Sequence, residues 1–310
     1  MKLKVVGVLA YDSITSEFGT KRNIFGGSAT YFAISSSYLS NNVRITGAIG
    51  KDFNRDDLDI LSSRGINIDG VETLDLNTFK WEGKYEINAP NEAITLSNSI
   101  IKGEPNVLES YKPILYSKNE NKSESYSLFL ANADPEHQLD LINQMDKRAK
   151  LIGLDTMDFW INNSAESVKR LFPNVDVIII NENEAKLITN ENSLRNCINK
   201  IQSLGAERIV IKLGNYGLVY ASNSTRFFLP AVLVEQVKDP TGAGDSFAGG
   251  FMGYLSTVEN LTEEEFKEAC IYGSVMASFC VEEFGLERLL TLNDSEIENR
   301  KNLLINQIKY

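Results

Sequence analysis

Residues 238–255 read KDPTGAGDSFAGGFMGYL, and this stretch contains a strand end, a turn and a helix start in close succession. Because proline cannot donate to a strand ladder, Asp239-Pro240 is predicted to end a strand-like region. Thr241-Gly242-Ala243-Gly244 reads as a tight turn of small residues. Residues 244–255 carry apolar side chains at helical spacing, which predicts a helix directly after the turn.

The glycine turn has the features of an anion-binding site. The first backbone N–H groups of a helix lack hydrogen-bond partners, and the helix dipole adds partial positive charge there. Glycines let this backbone approach a ligand closely, and such donors stabilise a phosphoryl group in transfer. Asp245 lies in the first helical turn, where we expect it to be ionised at neutral pH and to accept a proton from a substrate hydroxyl. On its own, the same pattern also fits a simple helix cap.

Short apolar runs alternate with amphipathic stretches along the rest of the chain. Runs that begin at residues 4, 43, 151, 175 and 208 are nearly continuous in hydrophobicity, as in parallel strands buried on both faces. Apolar spacing predicts helices at residues 28–39, 55–63, 135–149, 183–188, 193–204, 244–255, 262–284 and 294–308, with Gly285 as a C-cap. The alternation predicts a single α/β domain over residues 1–310, in which helices flank a doubly wound, mostly parallel sheet.

Two stretches, at about residues 11–24 and 70–102, interrupt this alternation and read as β-hairpins. The second contains TFKWEGKYEI, in which polar and apolar residues alternate around a glycine. We expect both stretches to form a small sheet that acts as a lid, with Lys80, Trp81 and Tyr85 as lid residues. Since the edges of such a sheet need cover, the lid could cap its own site or pair with a second subunit in a homodimer.

The composition argues against several classes of function. A net charge of −11 repels nucleic acid and anionic membranes. The single histidine and the three cysteines, none in a Cys-x-x-Cys pair, argue against a zinc site, and the cysteines are expected to be small buried side chains. No apolar run has the length of a membrane span or signal peptide, so we expect a cytoplasmic protein. The N-terminal strand lacks a G-x-G-x-x-G motif, which argues against a dinucleotide-dependent oxidoreductase.

DPTGAGDSFAGGF, residues 239–251, resembles the C-terminal signature of the PfkB (ribokinase-like) family of carbohydrate and nucleoside kinases. The resemblance covers nearly the whole chain: FGGSATYFAISSSYL (25–39) is similar to the first family signature, NENE (181–184) to the N-x-x-E motif and IKLGNYGLVY (211–220) to the K-x-G-x-x-G loop. It implies a ribokinase-like fold and a kinase that uses ATP and Mg²⁺, with room for a monovalent cation. The acceptor would be a hydroxymethyl group of a sugar or nucleoside. The alternative is a non-catalytic ligand-binding or regulatory protein on the same fold, which the intact Asp245 disfavours.

The resemblance also implies roles for individual residues. Asp245 would be the general base, with an anion hole formed by the amides of Gly242, Ala243 and Gly244. Asn181 and Glu184 of the N-x-x-E motif would act on the magnesium–phosphate assembly. Glu184 would do so through water, because Mg²⁺ keeps several of its waters and a carboxylate outside its first coordination shell is sufficient. Nucleotide contacts would come from Lys212, Gly214, Gly217, Ser274 and Ser278.

On the acceptor side, Asp12 matches the early aspartate that grips sugar hydroxyls in this family, and Gly26-Gly27 match the turn that lets the sugar approach. Many relatives place an asparagine four residues after the second glycine. This chain has Tyr31 there, so that contact is altered or supplied elsewhere. Trp81 would stack on a sugar face or a nucleobase, or else serve only in lid packing.

DTMDFWI, residues 155–161, follows a predicted strand end. Ligands of open α/β sheets bind outside the carboxyl ends of the strands. Asp155, Met157 and Trp160 are therefore candidates to line the cleft.

Overall fold

The protein contains two β-sheets in the computed structural model, which describes residues 2–86, 89–116 and 124–308. The strands, in chain order, are β1 (Lys2–Val6), β2 (Ala10–Ser16), β3 (Gly19–Gly26), β4 (Val43–Gly50), β5 (Asn67–Leu74), β6 (Phe79–Glu86), β7 (Ala89–Asn98), β8 (Tyr126–Leu130), β9 (Leu151–Leu154), β10 (Val177–Asn181), β11 (Arg208–Lys212), β12 (Leu218–Ala221) and β13 (Arg226–Leu229).

Nine strands form the larger sheet in the order β13-β12-β11-β10-β9-β8-β1-β4-β5. Neighbours from β11 to β5 pair in parallel, whereas β12 and β13 add an antiparallel edge. The inner strands are buried along almost their whole length because helices cover both faces. The predicted doubly wound, mostly parallel α/β fold is confirmed.

The helices, in chain order, are α1 (Ser28–Ser37), α2 (Arg55–Ser63), α3 (Pro135–Asn143), α4 (Asp158–Asn163), α5 (Ala165–Leu171), α6 (Glu182–Thr189), α7 (Leu194–Ser203), α8 (Ala243–Leu255), α9 (Glu263–Cys280) and α10 (Asp294–Ile308). Side chains of α1, α8, α9 and α10 form one hydrophobic core with one face of the sheet. Side chains of α3 to α7 form a second core with the opposite face. The two cores hold the strand ends in fixed positions, and those ends carry the candidate site.

The smaller sheet has the order β3-β2-β6-β7, with β2 and β6 paired in parallel. We call this sheet the lid. It is joined to the segment before α8 by Ser16, whose hydroxyl donates to the carbonyl of Lys238 at 2.7 Å. Residues 70–74, which the sequence suggested as hairpin material, belong to β5 of the larger sheet instead. Residues 87–88 of the same stretch lie outside the described residues.

Several local expectations were wrong. Residues 230–238 form no strand, since β13 ends at Leu229, so Asp239-Pro240 does not end one. Helix α9 ends at Cys280, where the carbonyl of Val281 accepts the amide of Lys238 at 2.8 Å instead of continuing the helix. Gly285 therefore lies in a loop beyond the helix and is not its C-cap. Strands β8, β12 and β13 and helices α4 and α5 were not predicted. Helices α4 and α5 span only six and seven residues, which is too few for a clear helical period.

The expectation that the cysteines are buried agrees with the structure. Cys197, Cys270 and Cys280 are free and buried. Among the described residues, no helix combines the length and apolar character that crossing a membrane would require.

Candidate active site

The glycine turn at the start of α8 is held by a buried aspartate. Asp239 is fully buried, and its carboxylate accepts the amide of Thr241 at 2.9 Å and the amide of Gly285 at 2.8 Å. It therefore ties the turn to the loop after α9. Sequence reasoning assigned no such role to Asp239, although an aspartate that bonds the backbone two residues on is a known turn signal.

Gly242 is the N-cap of α8 and has a φ of 74°, a left-handed conformation that favours glycine. The ring of Tyr31 packs directly against it: a methyl group added to Gly242 would lie 2.3 Å from Cδ1 of that ring. Tyr31 is 1% exposed, and its hydroxyl has no hydrogen-bond partner among the described residues. Burial, together with the nearby Asp12 carboxyl, raises the pKa of Tyr31. The tyrosine thus lies beneath the turn, and its predicted contact with an acceptor stays a prediction.

A lysine approaches the same turn from the sheet. Lys212 ends β11, and a methyl group added to Gly244 would lie 2.8 Å from its ammonium nitrogen. The ammonium is also 3.9 Å from Oδ1 of Asp155, which follows β9. Two strand ends therefore place a paired positive charge against the start of α8. Of the other predicted cleft residues, Met157 and Trp160 lie at the start of α4, next to this aspartate in the chain.

Asn181 and Glu184 form a capping box at the start of α6. The side chain of Asn181 accepts the Glu184 amide at 2.9 Å, and a carboxylate oxygen of Glu184 accepts the Asn181 amide at 2.7 Å. Asn181 is the register partner of Lys212 on the neighbouring strand, so this box lies beside the lysine. Glu184 is 6% exposed, which rules out a solvated helix carboxylate. The N-x-x-E spacing itself could have predicted the box.

The carboxyl groups of this region titrate unusually. Burial, and then the charge of Asp155, raise the pKa of Asp245 to about 7, while Lys212 opposes the rise. Burial raises the pKa of Glu184 to about 8, again opposed by Lys212. Burial therefore outweighs the helix terminus and the lysine, so Asp245 retains its proton to higher pH than its place at the helix start predicts.

The buried carboxyl groups around Lys212 raise the question of whether this region can hold the Mg²⁺ ion that the sequence predicts. Within the described ranges, no group of three or more histidine, cysteine, aspartate or glutamate side chains converges to hold a metal. A cation near Asp155, Glu184 and Asp245 would relieve their mutual repulsion, but it would need ligands other than side chains. The donor set therefore fits an ion such as Mg²⁺, which keeps several waters and binds substrate phosphates.

The predicted acceptor residues meet on the other side of the turn. Asp12 is 5% exposed, and its Oδ2 accepts the Gly27 amide at 3.4 Å. A methyl group added to Gly26 would lie 2.1 Å from the same oxygen, so only glycine leaves room for this carboxylate. Burial raises the pKa of Asp12 to about 7, and Asp239 adds to the rise. Asp12 in turn raises the pKa of Asp245, which shows that the two carboxyl groups influence each other.

One of the three predicted lid residues contacts the glycine turn: Tyr85 accepts a hydrogen bond from the Thr241 hydroxyl at 3.1 Å. Trp81 is the register partner of Asp12 on the neighbouring strand. Lys80 projects to the opposite side, where its ammonium pairs with Asp52 at 3.3 Å.

The predicted nucleotide contacts lie on two elements. Gly214 and Gly217, in the turn between β11 and β12, have φ values of 59° and 101°. A methyl group on Gly217 would lie 2.0 Å from the carbonyl oxygen of Leu229, so the packing of β13 by itself requires glycine there. Ser274 and Ser278 lie on α9, where the Ser278 hydroxyl donates to the carbonyl of Val275 at 2.7 Å. Contact of these residues with a nucleotide stays a prediction.

Comparison with known proteins places this fold and site in context. A cytidine kinase from Thermococcus kodakarensis is 28% identical over 272 residues, which cover 85% of this chain and 91% of that protein. Burkholderia thailandensis nucleoside kinase, solved with inosine, has a TM-score of 0.78 at 20% identity and covers 98% of this chain and 99% of its own. A fructokinase from Vibrio cholerae O395, solved with fructose, ADP and potassium ion, has a TM-score of 0.77 at 17% identity and covers 96% of this chain and 98% of its own.

The likeness to solved structures gives the class of fold, which is ribokinase-like. The family model of the pfkB family carbohydrate kinases matches residues 4–291. The chain belongs to this family. It is accordingly a phosphotransferase that acts on a hydroxyl group, as kinases of sugars and nucleosides do.

Proposed function

We propose that the protein transfers the γ-phosphoryl group of ATP to a hydroxymethyl group of a sugar or nucleoside, with Asp245 as the general base. The observation that carries the proposal is the position of Asp245 in the first turn of α8, with a pKa of about 7. A general base is most effective when its pKa lies near the working pH. Asp245 can therefore accept the hydroxyl proton at neutral pH and hold it after transfer.

The backbone at the start of α8 supplies the anion hole in this proposal. The amides of Gly242 and Gly244 would face the space beyond the helix N-terminus, where their partial charge stabilises the phosphoryl oxygens. The Ala243 amide donates to the carbonyl of Pro240 at 3.1 Å, so it would have to exchange this bond to join the anion hole. Lys212 lies against Gly244 and adds a full positive charge from the sheet side. Phosphoryl transfer depends mainly on such positioning and electrostatic stabilisation, since its transition state is loose.

ATP would lie across the ends of β10 and β11. We propose that Gly214, Gly217, Ser274 and Ser278 bound the nucleotide and that Lys212 faces its phosphates. Asn181 fixes one carboxylate oxygen of Glu184 through the capping box, which leaves the other oxygen to accept from a metal-bound water. Mg²⁺, when bound, neutralises phosphate charge and polarises the transferred group.

The acceptor would lie between the glycine turn and the lid. Asp12 accepts hydrogen bonds from its hydroxyls, Gly26 and Gly27 permit the close approach, and Tyr31 and Trp81 border the space. The relatives support both acceptor classes, because they include a cytidine kinase and a fructokinase solved with fructose.

Further features of the proposal concern assembly and ions. The edge strand β7 exposes Ile94 and Leu96, at 40% and 50%, which supports a homodimer formed through the lid. The potassium ion of the similar fructokinase supports a monovalent cation as an additional cofactor. A cytoplasmic location remains a prediction from the sequence.

The proposal is tested by measuring ADP release with ATP and Mg²⁺ over a panel of sugars and nucleosides. We expect acceptor-dependent ADP release that stops when EDTA removes the metal, and a phosphomonoester product detected by ³¹P NMR. Binding of sugars or nucleosides without any ADP release or phosphorylated product would instead identify a non-catalytic ligand-binding protein and refute the proposal.

A further inference from the structure

The lid has an inner face made by alternate residues of its two central strands. In the parallel pairing of β2 with β6, Asp12 is the partner of Trp81 and Ile14 is the partner of Gly83. Register partners project to the same side of a sheet. Tyr85, the next residue of this alternation, is bonded to Thr241 of the glycine turn, so this side faces the candidate site. We call it the inner lid face; its residues are Asp12, Ile14, Ser16, Trp81, Gly83 and Tyr85.

The indole of Trp81 is fixed in a flat position on this face. Its ring nitrogen donates to the Thr95 hydroxyl of β7 at 3.1 Å. Its six-membered ring lies over Gly83, where an added methyl group would be only 2.2 Å from Cη2 and 2.3 Å from Cζ2. One ring face is therefore turned to the backbone of the lid, and the other is turned away from the sheet. Since the ring is already held, a ligand that stacks on it need not immobilise a free side chain.

The stacking ring lies one residue pair along the strands from the group that can bind a diol, since the ring covers Gly83, the partner of Ile14, whereas Asp12 is the partner of Trp81. Neighbouring strands are about 4.8 Å apart, so the Asp12 carboxylate and the start of the Trp81 side chain are separated by roughly one strand spacing. A nucleoside meets both groups at once, because it joins a polyol directly to a planar base. A free pentose that binds Asp12 offers the indole at most a small C–H face, which covers less of the ring than a base does.

The charge of the inner lid face limits the acceptor further. Its six residues include one carboxylate, Asp12, and no basic side chain. The lysines of β6, Lys80 and Lys84, alternate to the outer side, where they pair with Asp52 and Glu86. A phosphate or carboxylate on the acceptor would find no counter-charge on this face and would be repelled by Asp12.

From this arrangement we infer that the acceptor is an uncharged nucleoside, with its ribose hydroxyls on Asp12 and its base stacked on Trp81. The hydroxymethyl group of the ribose is then the group presented to Asp245. Stacking accepts purines and pyrimidines alike, because every base has an aromatic face. The inference rests on the proposed kinase function and narrows its acceptor class.

The first test compares phosphorylation of ribose and fructose with that of cytidine, uridine, adenosine, inosine and guanosine. We expect at least one nucleoside to have a kcat/KM well above those of both sugars. A sugar that equals or exceeds every nucleoside would overturn the inference and leave the kinase proposal intact. Phosphorylation of neither class would overturn both.

The second test replaces the stacking ring. Trp81→Ala is expected to raise the KM for the best nucleoside by about 10- to 100-fold, with a much smaller effect on the KM for ATP. Trp81→Phe, which keeps an aromatic face, is expected to recover most of the loss. Equal effects of the alanine variant on both KM values, or no recovery by phenylalanine, would contradict stacking.

Fluorescence provides a binding readout that does not depend on turnover. The chain has two tryptophans, Trp81 and Trp160. Titration with the nucleoside is expected to quench wild-type emission, and the quenching should be lost in Trp81→Phe, in which Trp160 still reports that the protein is folded. Quenching that persists in this variant would place the base away from Trp81 and overturn the inference.

Discussion

Lys212 and Asp155 face each other across the ends of β11 and β9, with 3.9 Å between the ammonium nitrogen and Oδ1. The strand that separates them, β10, contributes the capping box that holds Glu184. The ion pair with Asp155 orients Lys212, whose ammonium lies against Gly244 at the start of the proposed anion hole. The pair also acts on the proposed base, because Asp155 raises the pKa of Asp245 whereas Lys212 lowers it.

Removing the two charges should shift the pH profile in opposite directions. Asp245 must be ionised to act as a base, so kcat/KM rises with pH and levels off above its pKa. Asp155→Asn lowers that pKa and should move the acidic limb to lower pH, whereas Lys212→Met raises it and should move the limb to higher pH. Lys212→Met should also reduce kcat by about 100-fold or more. Lys186→Met, which removes a surface lysine paired with Glu182, is the control and should leave the profile unchanged. Shifts of the same sign in Asp155→Asn and Lys212→Met would contradict the account.

Asp12→Ala should separate acceptor binding from nucleotide binding. Loss of a carboxylate that accepts hydroxyl hydrogen bonds should raise the acceptor KM by about 10- to 100-fold while changing the KM for ATP little. Steady-state kinetics with each substrate varied in turn measures both values. Asp57→Ala, which removes a carboxylate bonded to the neighbouring Tyr11 on the outer side of the lid, is the matched control. Equal increases in the two KM values would refute the role of Asp12 as the polyol anchor.

Asp12 should also reduce the stability of the ligand-free protein above neutral pH. Its pKa is raised from 3.8 to about 7 by folding, so between about pH 4 and 7 the native state retains a proton that the unfolded state has lost. The contribution to the free energy of unfolding therefore falls as the pH rises through this window. Asp12→Asn cannot ionise and should be more stable than the wild type at pH 8, by about 1–2 kcal/mol. Urea unfolding from pH 4 to 8 measures the difference in the free energy of unfolding between variant and wild type. This difference should be absent for the surface variant Asp69→Asn. If Asp12→Asn were less stable than the wild type at pH 8, the native state would favour the charged form of Asp12, contrary to the prediction.

Tyr85 should help to hold the lid on the glycine turn. Tyr85→Phe removes the hydrogen bond from Thr241, which contributes about 1 kcal/mol, and should lower kcat/KM for the acceptor about fivefold. Thr15→Val, which breaks the exposed bond between Thr15 and Thr20 within the lid, is the control for loss of a lid hydrogen bond elsewhere. Matching losses in the two variants would mean that the Tyr85 bond supports only lid stability.

The sequence anticipated those parts of the site that depend on local order. The glycine turn and helix α8 could be predicted because the turn residues and the apolar period are adjacent in the chain. Asp12 and Trp81 were both recognised, but their register pairing was not, since it depends on the pairing of two strands far apart in sequence.

Properties set by burial were not predictable in this way. The pKa of Asp245 depends on surrounding groups from β9 and β11 and on its desolvation, neither of which has a local signature. The packing of the Tyr31 ring under Gly242 was likewise not anticipated; it is possible because a glycine with no side chain leaves room for the ring. The role of Asp239 in joining the turn to the loop after α9 was overlooked because its second partner, Gly285, is 46 residues away in the chain.

The most direct test of the account is the turnover of Asp245→Asn. This substitution keeps the size of the side chain and removes its ability to accept the hydroxyl proton. With ATP, Mg²⁺ and the best acceptor of the panel, we expect kcat to fall by about 1,000-fold or more, while both KM values stay within about threefold of the wild type. A variant that turns over at a near-normal rate would contradict the assignment of Asp245 as the general base.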